Sequence, residues 1–195
     1  MSAFPDRSPA RGSVFIATSL DGFIARPDGS IDWLLEANRA VPPGEDCGYA
    51  EFTAGIDGLV MGRASFEKAL GFDPWPYGEL PVIVLSRSGT VVPPALAPTV
   101  RVSALDPPSL MAELAAAGHR HLYIDGGRVV QSFLRACLID SLTITTIPVL
   151  LGRGLPLFGP LEADVALRLV ASRRWDFGFV QNRYEVLRAA PVRPA

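Results

Sequence analysis

Arginine, serine and glycine recur where short apolar runs stop. Gly58-Leu59-Val60-Met61-Gly62 leads into Arg63-Ala64-Ser65-Phe66, Pro81 to Leu85 into Ser86-Arg87, and His121 to Asp125 into Gly126-Gly127-Arg128. Glycine lets a charged ligand approach the backbone, serine offers a hydroxyl, and arginine presents a planar fork of donors to phosphate oxygens. Taken singly, each turn is also explained by a tight bend or a solvated arginine. Several in one chain, with cationic side chains beside small residues, point to one polyanionic nucleotide held by neighbouring loops.

The runs that carry these turns must be buried strands. Val14 to Thr18, Gly58 to Gly62, Pro81 to Ser86 and His121 to Asp125 are short, apolar and rich in β-formers. Between them lie helical spacings: Tyr49 with Phe52, Leu110 with Leu114, and the double stripe Val129/Phe133/Cys137 and Val130/Leu134/Leu138. Strand and helix in alternation predict a sheet with crossover helices, whose ligands sit where strand ends meet helix starts. The last third changes period. Leu142/Ile144, Val165/Leu167/Leu169 and Val180/Tyr184/Val186 alternate as half-buried antiparallel strands do, and Trp175 to Leu187 reads as a closing hairpin or edge strand. The predicted fold is therefore a single α/β domain over 13–189, a mixed sheet that is mostly parallel with antiparallel C-terminal strands and helices on both faces. Residues 1–12 and 190–195, rich in Pro, Ala and Arg, read as disordered ends.

Composition narrows the partners. With 195 residues, 49% hydrophobic and 19% charged, the chain can build one sizeable core. A formal charge of -2 gives no basic surplus for a nucleic acid. No apolar run approaches the ~20 residues of a membrane span, and no signal-peptide core follows Arg7 and Arg11, which predicts a cytoplasmic protein. Cys47 and Cys137 are expected to be buried reduced thiols. His119 and His121 read as a surface turn, so no metal site is predicted.

Read in order, Ser19-Leu20-Asp21-Gly22, Met61-Gly62-Arg63-x-Ser65-Phe66, Val84-Leu85-Ser86-Arg87, Asp125-Gly126-Gly127-Arg128-Val129 and Ile147-Pro148-Val149-Leu150-Leu151-Gly152 resemble the dihydrofolate reductase superfamily. More closely, they resemble its branch holding the riboflavin-biosynthesis reductase (RibD C-terminal) domain and stand-alone relatives. The resemblance implies an NADPH-dependent reductase of a pterin-like or pyrimidine-like molecule. It implies that Gly62, Arg63, Ala64 and Ser65 receive cofactor phosphates at a helix start, and that Ser86 and Arg87 favour NADP over NAD. Gly126, Gly127, Arg128 and Val129 would form a second phosphate turn, with Ala17 and Thr18 contacting the nicotinamide through backbone groups. Ser19, Asp21 and Trp33 would border the substrate on a mobile loop running from Ser19 to Trp33. The apolar strands 142–150 and 180–187 offer surface for a two-fold partner, and the resemblance implies a homodimer.

Hydride transfer to a C=N bond also needs a proton, usually from a carboxylic acid in an apolar cleft. In dihydrofolate reductases the substrate-binding acid begins the helix before the Met-Gly-Arg strand. Asp46 occupies that place here and is the expected donor, with an N-cap as its other reading; Glu51 is the next candidate, with a solvated helix face as its own. Trp75, Pro76 and Tyr77 either line a flat-ring pocket or form a packed loop, and Trp175 reads as core or interface. Two positions depart from the riboflavin branch. Phe23 stands where Lys follows Ser-Leu-Asp-Gly, and Asp73-Pro74-Trp75-Pro76-Tyr77-Gly78 replaces a run of Pro and Arg. The alternatives are the aminouracil reductase of riboflavin biosynthesis itself and a non-catalytic NADP-binding protein. The H-x-E and P-C-x-x-C signature of the zinc deaminase partner does not occur.

Overall fold

A computed structural model of the chain describes residues 10–187. Ten strands and five helices alternate along it. The strands are β1 (Arg11–Ser19), β2 (Phe23–Ala25), β3 (Gly58–Gly62), β4 (Val82–Leu85), β5 (Val100–Ser103), β6 (His121–Asp125), β7 (Ser141–Ile147), β8 (Leu155–Pro156), β9 (Leu167–Arg174) and β10 (Val180–Val186). The helices are α1 (Asp32–Ala37), α2 (Tyr49–Thr53), α3 (Arg63–Ala69), α4 (Pro107–Ala116) and α5 (Gly127–Arg135).

Eight strands form one sheet in the order β5-β4-β3-β6-β1-β7-β10-β9, while β2 and β8 pair as a small separate ribbon. From β5 to β7 every neighbour is parallel. The chain builds outward from β3 to β5, then returns to insert β6 between β3 and β1 before adding β7 beyond β1. That reversal opens a crevice at the carboxyl edge of the parallel strands.

Both faces of this half are covered, which is why its strands read as unbroken apolar runs. Val14, Val60, Ile83, Leu122 and Ile124 point to one side, under Leu110, Leu114, Val130 and Phe133 of α4 and α5. Leu59, Met61, Val82, Val84 and Tyr123 point to the other, under Phe66, Phe52 and Trp75. Phe133 and Phe66 are fully buried, and truncating either to Ala costs about 3–5 kcal/mol on the scale of core aromatics.

The structure corrects four expectations. β7 is parallel to β1 and only meets β10 antiparallel, because period two reports a half-covered face and carries no direction. β9 is exposed along all eight residues, since no element covers either face of the sheet's last strand. β1 begins at Arg11, inside the end expected to be frayed. Gly12 is locked there, donating its N–H to Asp140 Oδ2 at 3.0 Å and lying so close to the Leu138 carbonyl that a side chain would not fit. The tail 190–195, residues 188–189 of the expected domain and residues 1–9 lie outside the described residues. Finally, Cys47 is half-buried and Cys137 is exposed, so neither is a core thiol. Cys137 instead ends α5 in the left-handed region at φ 57, with Leu138 N–H donating to Phe133 C=O at 2.9 Å across the helix end.

Candidate active site

Register places the three glycine, serine and arginine turns side by side. Gly62 pairs with Leu85, and Met61 pairs with Asp125, so the ends of β4, β3 and β6 open onto one edge, with Ala17 and Thr18 of β1 next in line. At ~4.8 Å per strand, β4 to β1 spans about 14 Å. Two helices start on this edge, α3 after Gly62 and α5 after Gly126, and neither has a side-chain cap. Their first-turn N–H groups are left to the crevice. A third helix, α4, follows the carboxyl end of the outermost parallel strand β5, but its start is closed by its own Asp106, which accepts from Ser109 N–H at 2.9 Å.

Gly126 explains how closely these two starts approach. Its φ is +85°, and a Cβ there would sit 2.5 Å from Ser65 Oγ, so only glycine allows α3 and α5 to meet. Gly127 is equally confined, by the Pro156 carbonyl and the Ile24 side chain of the β2–β8 ribbon. Around this cradle Arg87 and Arg128 are exposed and make no hydrogen bond or ion pair among the described residues. Arg63 reaches Ser88 Oγ at 3.2 Å and Glu67 at 3.6 Å, while Ser86 Oγ donates to the Gly89 carbonyl at 2.9 Å. The donor set and the open helix starts fit the two phosphate groups of a dinucleotide. Val129 differs from its neighbours, for its side chain packs in the core against Gly62 and leaves only backbone to the edge.

Asp46, the acid expected of the sequence, does not stand in an apolar cleft. Asp46 is exposed and accepts from Gly48 N–H and Ala50 N–H, each at 2.8 Å, as a cap leading into α2. Those backbone donors hold its carboxyl below the usual range, the reverse of what a proton donor requires. Glu51, also exposed, lies in the first turn of α2. The acid that has the right environment is Asp125, the last residue of β6. Burial pushes its carboxyl above the usual range, although Gly126 N–H and the Ser65 hydroxyl hydrogen-bond to it and pull the other way. The phenols of Tyr49, Tyr77 and Tyr123 are raised first by burial and then by the charge of Asp125.

Residue pattern contained a signal for Asp125 that the reading passed over. Aspartate is depleted in strands and seldom buried, so an Asp closing an otherwise apolar strand needs a reason.

Ser19, Asp21 and Trp33 are occupied by the protein itself. Ser19 Oγ donates to Asp21 at 2.6 Å and accepts from Phe23 N–H at 3.0 Å. Asp21 then accepts from Leu151 N–H at 3.1 Å and Gly152 N–H at 2.7 Å, tying the segment after β1 to the segment after β7. Trp33 is buried with Ile147, Trp175 and Phe179, behind Ala17, and its indole N–H has no protein partner. Trp175 lies in that core too, donating to Glu45 Oε2 at 2.8 Å. Trp75 packs edge-to-face on Phe66 and Tyr77 edge-to-face on Trp75, so the loop is packed.

A family model described as the RibD C-terminal domain matches residues 12–180, nearly the whole of the described fold. The chain belongs to the RibD C-terminal domain family. Among relatives, the uncharacterized protein YwjB of Bacillus subtilis strain 168 is 34% identical over 165 residues, covering 83% of this chain and 90% of its own. A solved structure from Shewanella sp. PV-4, provisionally assigned to riboflavin biosynthesis, superposes with a TM-score of 0.84 at 41% identity, over 91% of this chain and 99% of that one. The deaminase/5-amino-6-(5-phosphoribosylamino)uracil reductase of Thermotoga maritima shares the fold, with a TM-score of 0.70 at 16% identity over 91% of this chain and 57% of that one. In this member of the RibD C-terminal domain family, the open edge of the sheet combines an anion cradle with a half-buried acid. Among the described residues no helix is long and apolar enough to cross a membrane.

Proposed function

We propose that this RibD C-terminal domain protein is a cytoplasmic NADPH-dependent reductase that delivers hydride to a C=N or sugar-imine carbon of a small pterin-like or pyrimidine-like molecule. One observation carries the reading: two uncapped helix starts and the free Arg87 and Arg128 share an edge with a carboxyl raised by burial. Gly62 to Ser65 and Gly126 to Val129 would hold the diphosphate through backbone N–H groups, and Ser86 with Arg87 the 2′-phosphate. Ala17 and Thr18 would meet the nicotinamide through backbone groups. Bound there, the reduced dinucleotide supplies hydride.

Asp125 takes the role first expected of Asp46. In its neutral form it places a proton at the substrate nitrogen, and the carboxylate left behind is stabilised by Gly126 N–H and the Ser65 hydroxyl. Family membership supports the aminouracil reductase as the nearest alternative, and Phe23, in place of the Lys of that branch, disfavours it. We also take the protein to be a homodimer joined through the exposed β9 and the adjoining β10.

Calorimetry with NADPH and NADH tests the cofactor. NADPH is expected to bind, and Arg87→Ala to lose about tenfold in NADPH affinity while leaving NADH unchanged, since one charge-assisted contact is worth about 1.5 kcal/mol. Absence of both heat and a melting shift with NADPH rejects the reading. If NADPH binds but no pterin or pyrimidine substrate is reduced in a broad screen, the protein is a nucleotide-binding module without turnover.

A further inference from the structure

On the face of the sheet where Phe15 meets Tyr49 and Phe52, β7 is polar and yet buried. Thr143 and Thr145 lie on that face, level with Phe15 and Ala17 of β1 and with Arg183 and Gln181 of β10. They are 8% and 5% exposed, and a hydroxyl at that depth needs a partner. Ser141, the next in the row, has one, donating to Ser13 Oγ at 2.8 Å. Thr143 makes no side-chain hydrogen bond among the described residues, and its oxygen is not among the sealed unpaired atoms, which are the indole nitrogens of Trp33 and Trp75. Its hydroxyl therefore opens onto reachable space.

Gln181 is oriented by what its partners can accept. Its Nε2 donates to the Cys47 carbonyl at 2.9 Å and to Thr145 Oγ1 at 2.8 Å. A carbonyl only accepts, so the amide nitrogen must point there, and both its protons are used. The amide oxygen is then an acceptor held in one place, with no donor among the described residues. Gly48 lies beside it without filling the space, since even a Cβ there would stop 3.9 Å away. Thr145, having accepted from Gln181, still has its own proton to donate.

Between this strip and Asp125 the floor is apolar. β6 runs parallel to β1 with Tyr123 paired to Ser13, a register that brings Asp125 level with Phe15 on the same face. Phe15 and Ala17 stay half-buried although β1 is a central strand, so the protein leaves room above them. From β6 to β7 is two strand spacings, about 10 Å, enough for a flat heterocycle.

We propose that Thr143 and Gln181 are specificity-determining residues that read the substrate edge remote from the nitrogen to be protonated. Gln181 Oε1 accepts from a ring N–H, and the Thr143 and Thr145 hydroxyls donate to the carbonyl beside it. This rests on the reductase reading, with the nicotinamide at Ala17 and the acid at Asp125. A ring with an N–H next to a C=O, a lactam or imide edge, satisfies the strip. The same ring methylated at nitrogen brings no donor and leaves the Gln181 oxygen unpaired. Thr143 and Gln181 orient the ring, and Asp125 alone moves a proton.

The experiment needs no turnover. The full chain, with and without NADP⁺, is titrated by calorimetry with lumazine, a pteridine-2,4-dione bearing ring N–H groups, and with 1,3-dimethyllumazine, which keeps both carbonyls and has neither N–H. Wild type is expected to bind lumazine at least about tenfold more tightly than the dimethyl ring. Thr143→Val breaks no hydrogen bond within the protein, so it should weaken lumazine about tenfold without lowering the melting temperature. Gln181→Met should lose the preference between the rings. Because it also gives up the bonds to Cys47 and Thr145, it is read by the ratio of the two affinities. The proposal is overturned if wild type binds both rings alike, if either variant binds them as wild type does, if Thr143→Val melts lower, or if neither ring binds while NADPH does. Failure of NADPH to bind strikes the cofactor reading instead, and the comparison of the two rings on the free protein still decides this one.

Discussion

Asp125 and Asp46 are the same side chain in opposite surroundings, and the difference is why the proposed proton transfer is assigned to Asp125. Backbone N–H groups around the exposed Asp46 favour its carboxylate, whereas burial at the end of β6 disfavours that of Asp125. An acid whose folded pKa is raised costs the fold stability once pH rises through that value. Asp125→Asn is therefore expected to melt higher than wild type at pH 7 while losing at least about 100-fold in turnover, the low end of general-acid contributions. Asp46→Asn should keep turnover. Wild-type kcat/KM should fall as pH rises through the Asp125 pKa. The opposite ranking of the two variants in a steady-state assay would return the role to Asp46. His121 provides a second titration. Its ring accepts a hydrogen bond from Ser13 Oγ at 2.7 Å, and its pKa is lowered, first by burial and then by Arg11. Neutral imidazole is what the fold needs, so this stability is complete above the ordinary histidine value near 6.5 and is lost as pH drops through the lower folded value. Melting curves between pH 7.5 and 5 should decline more steeply for wild type than for His121→Gln.

The helices are short, and their ends do more than their middles. α3 and α5 begin uncapped where the crevice needs bare N–H groups, whereas the opposite end of α5 is closed by Cys137 in a left-handed conformation that a side chain tolerates poorly. Cys137→Gly is expected to raise stability by about 0.5–1 kcal/mol, read as a shift in denaturant midpoint at unchanged slope, and Cys137→Val to lower it. The β2–β8 ribbon gives the same lesson. Ile24 and Pro156 close on Gly127, and Gln131 Nε2 donates to the Pro156 and Leu157 carbonyls, each at 3.2 Å, so the ribbon is fastened to the helix that starts the cradle. Asp21 secures its flank by joining two loops, which accounts for an aspartate in Ser-Leu-Asp-Gly without any contact to substrate.

At the scale of the molecule the sheet is asymmetric. Its parallel half is covered on both faces and carries the site, while its other edge ends in β9, with Leu167, Leu169 and Val170 between 41% and 56% exposed. An edge strand left open, with Leu167, Leu169 and Val170 exposed among its arginines, invites pairing with another chain. In the homodimer proposed above, a second copy covers it, and Leu169→Lys is expected to convert dimer to monomer in sedimentation while NADPH still binds. A wild-type protein that sediments as a monomer at micromolar concentration would remove β9 as an interface.

Much of this was written locally. Unbroken apolar runs such as Leu59 to Met61 and Val82 to Val84 determined the buried parallel strands, because residues covered on both faces have no polar side to show. The turns at Gly62, Ser86 and Gly126 marked the strand ends that the structure brings to one edge, because helix entry there demands small residues in sequence. Tertiary structure alone decided the direction of β7, since alternation is blind to strand polarity. It alone separated the two aspartates as well: both stand near glycines and turns in the sequence, and a carboxyl's proton affinity depends on the water and charges that distant segments leave around it.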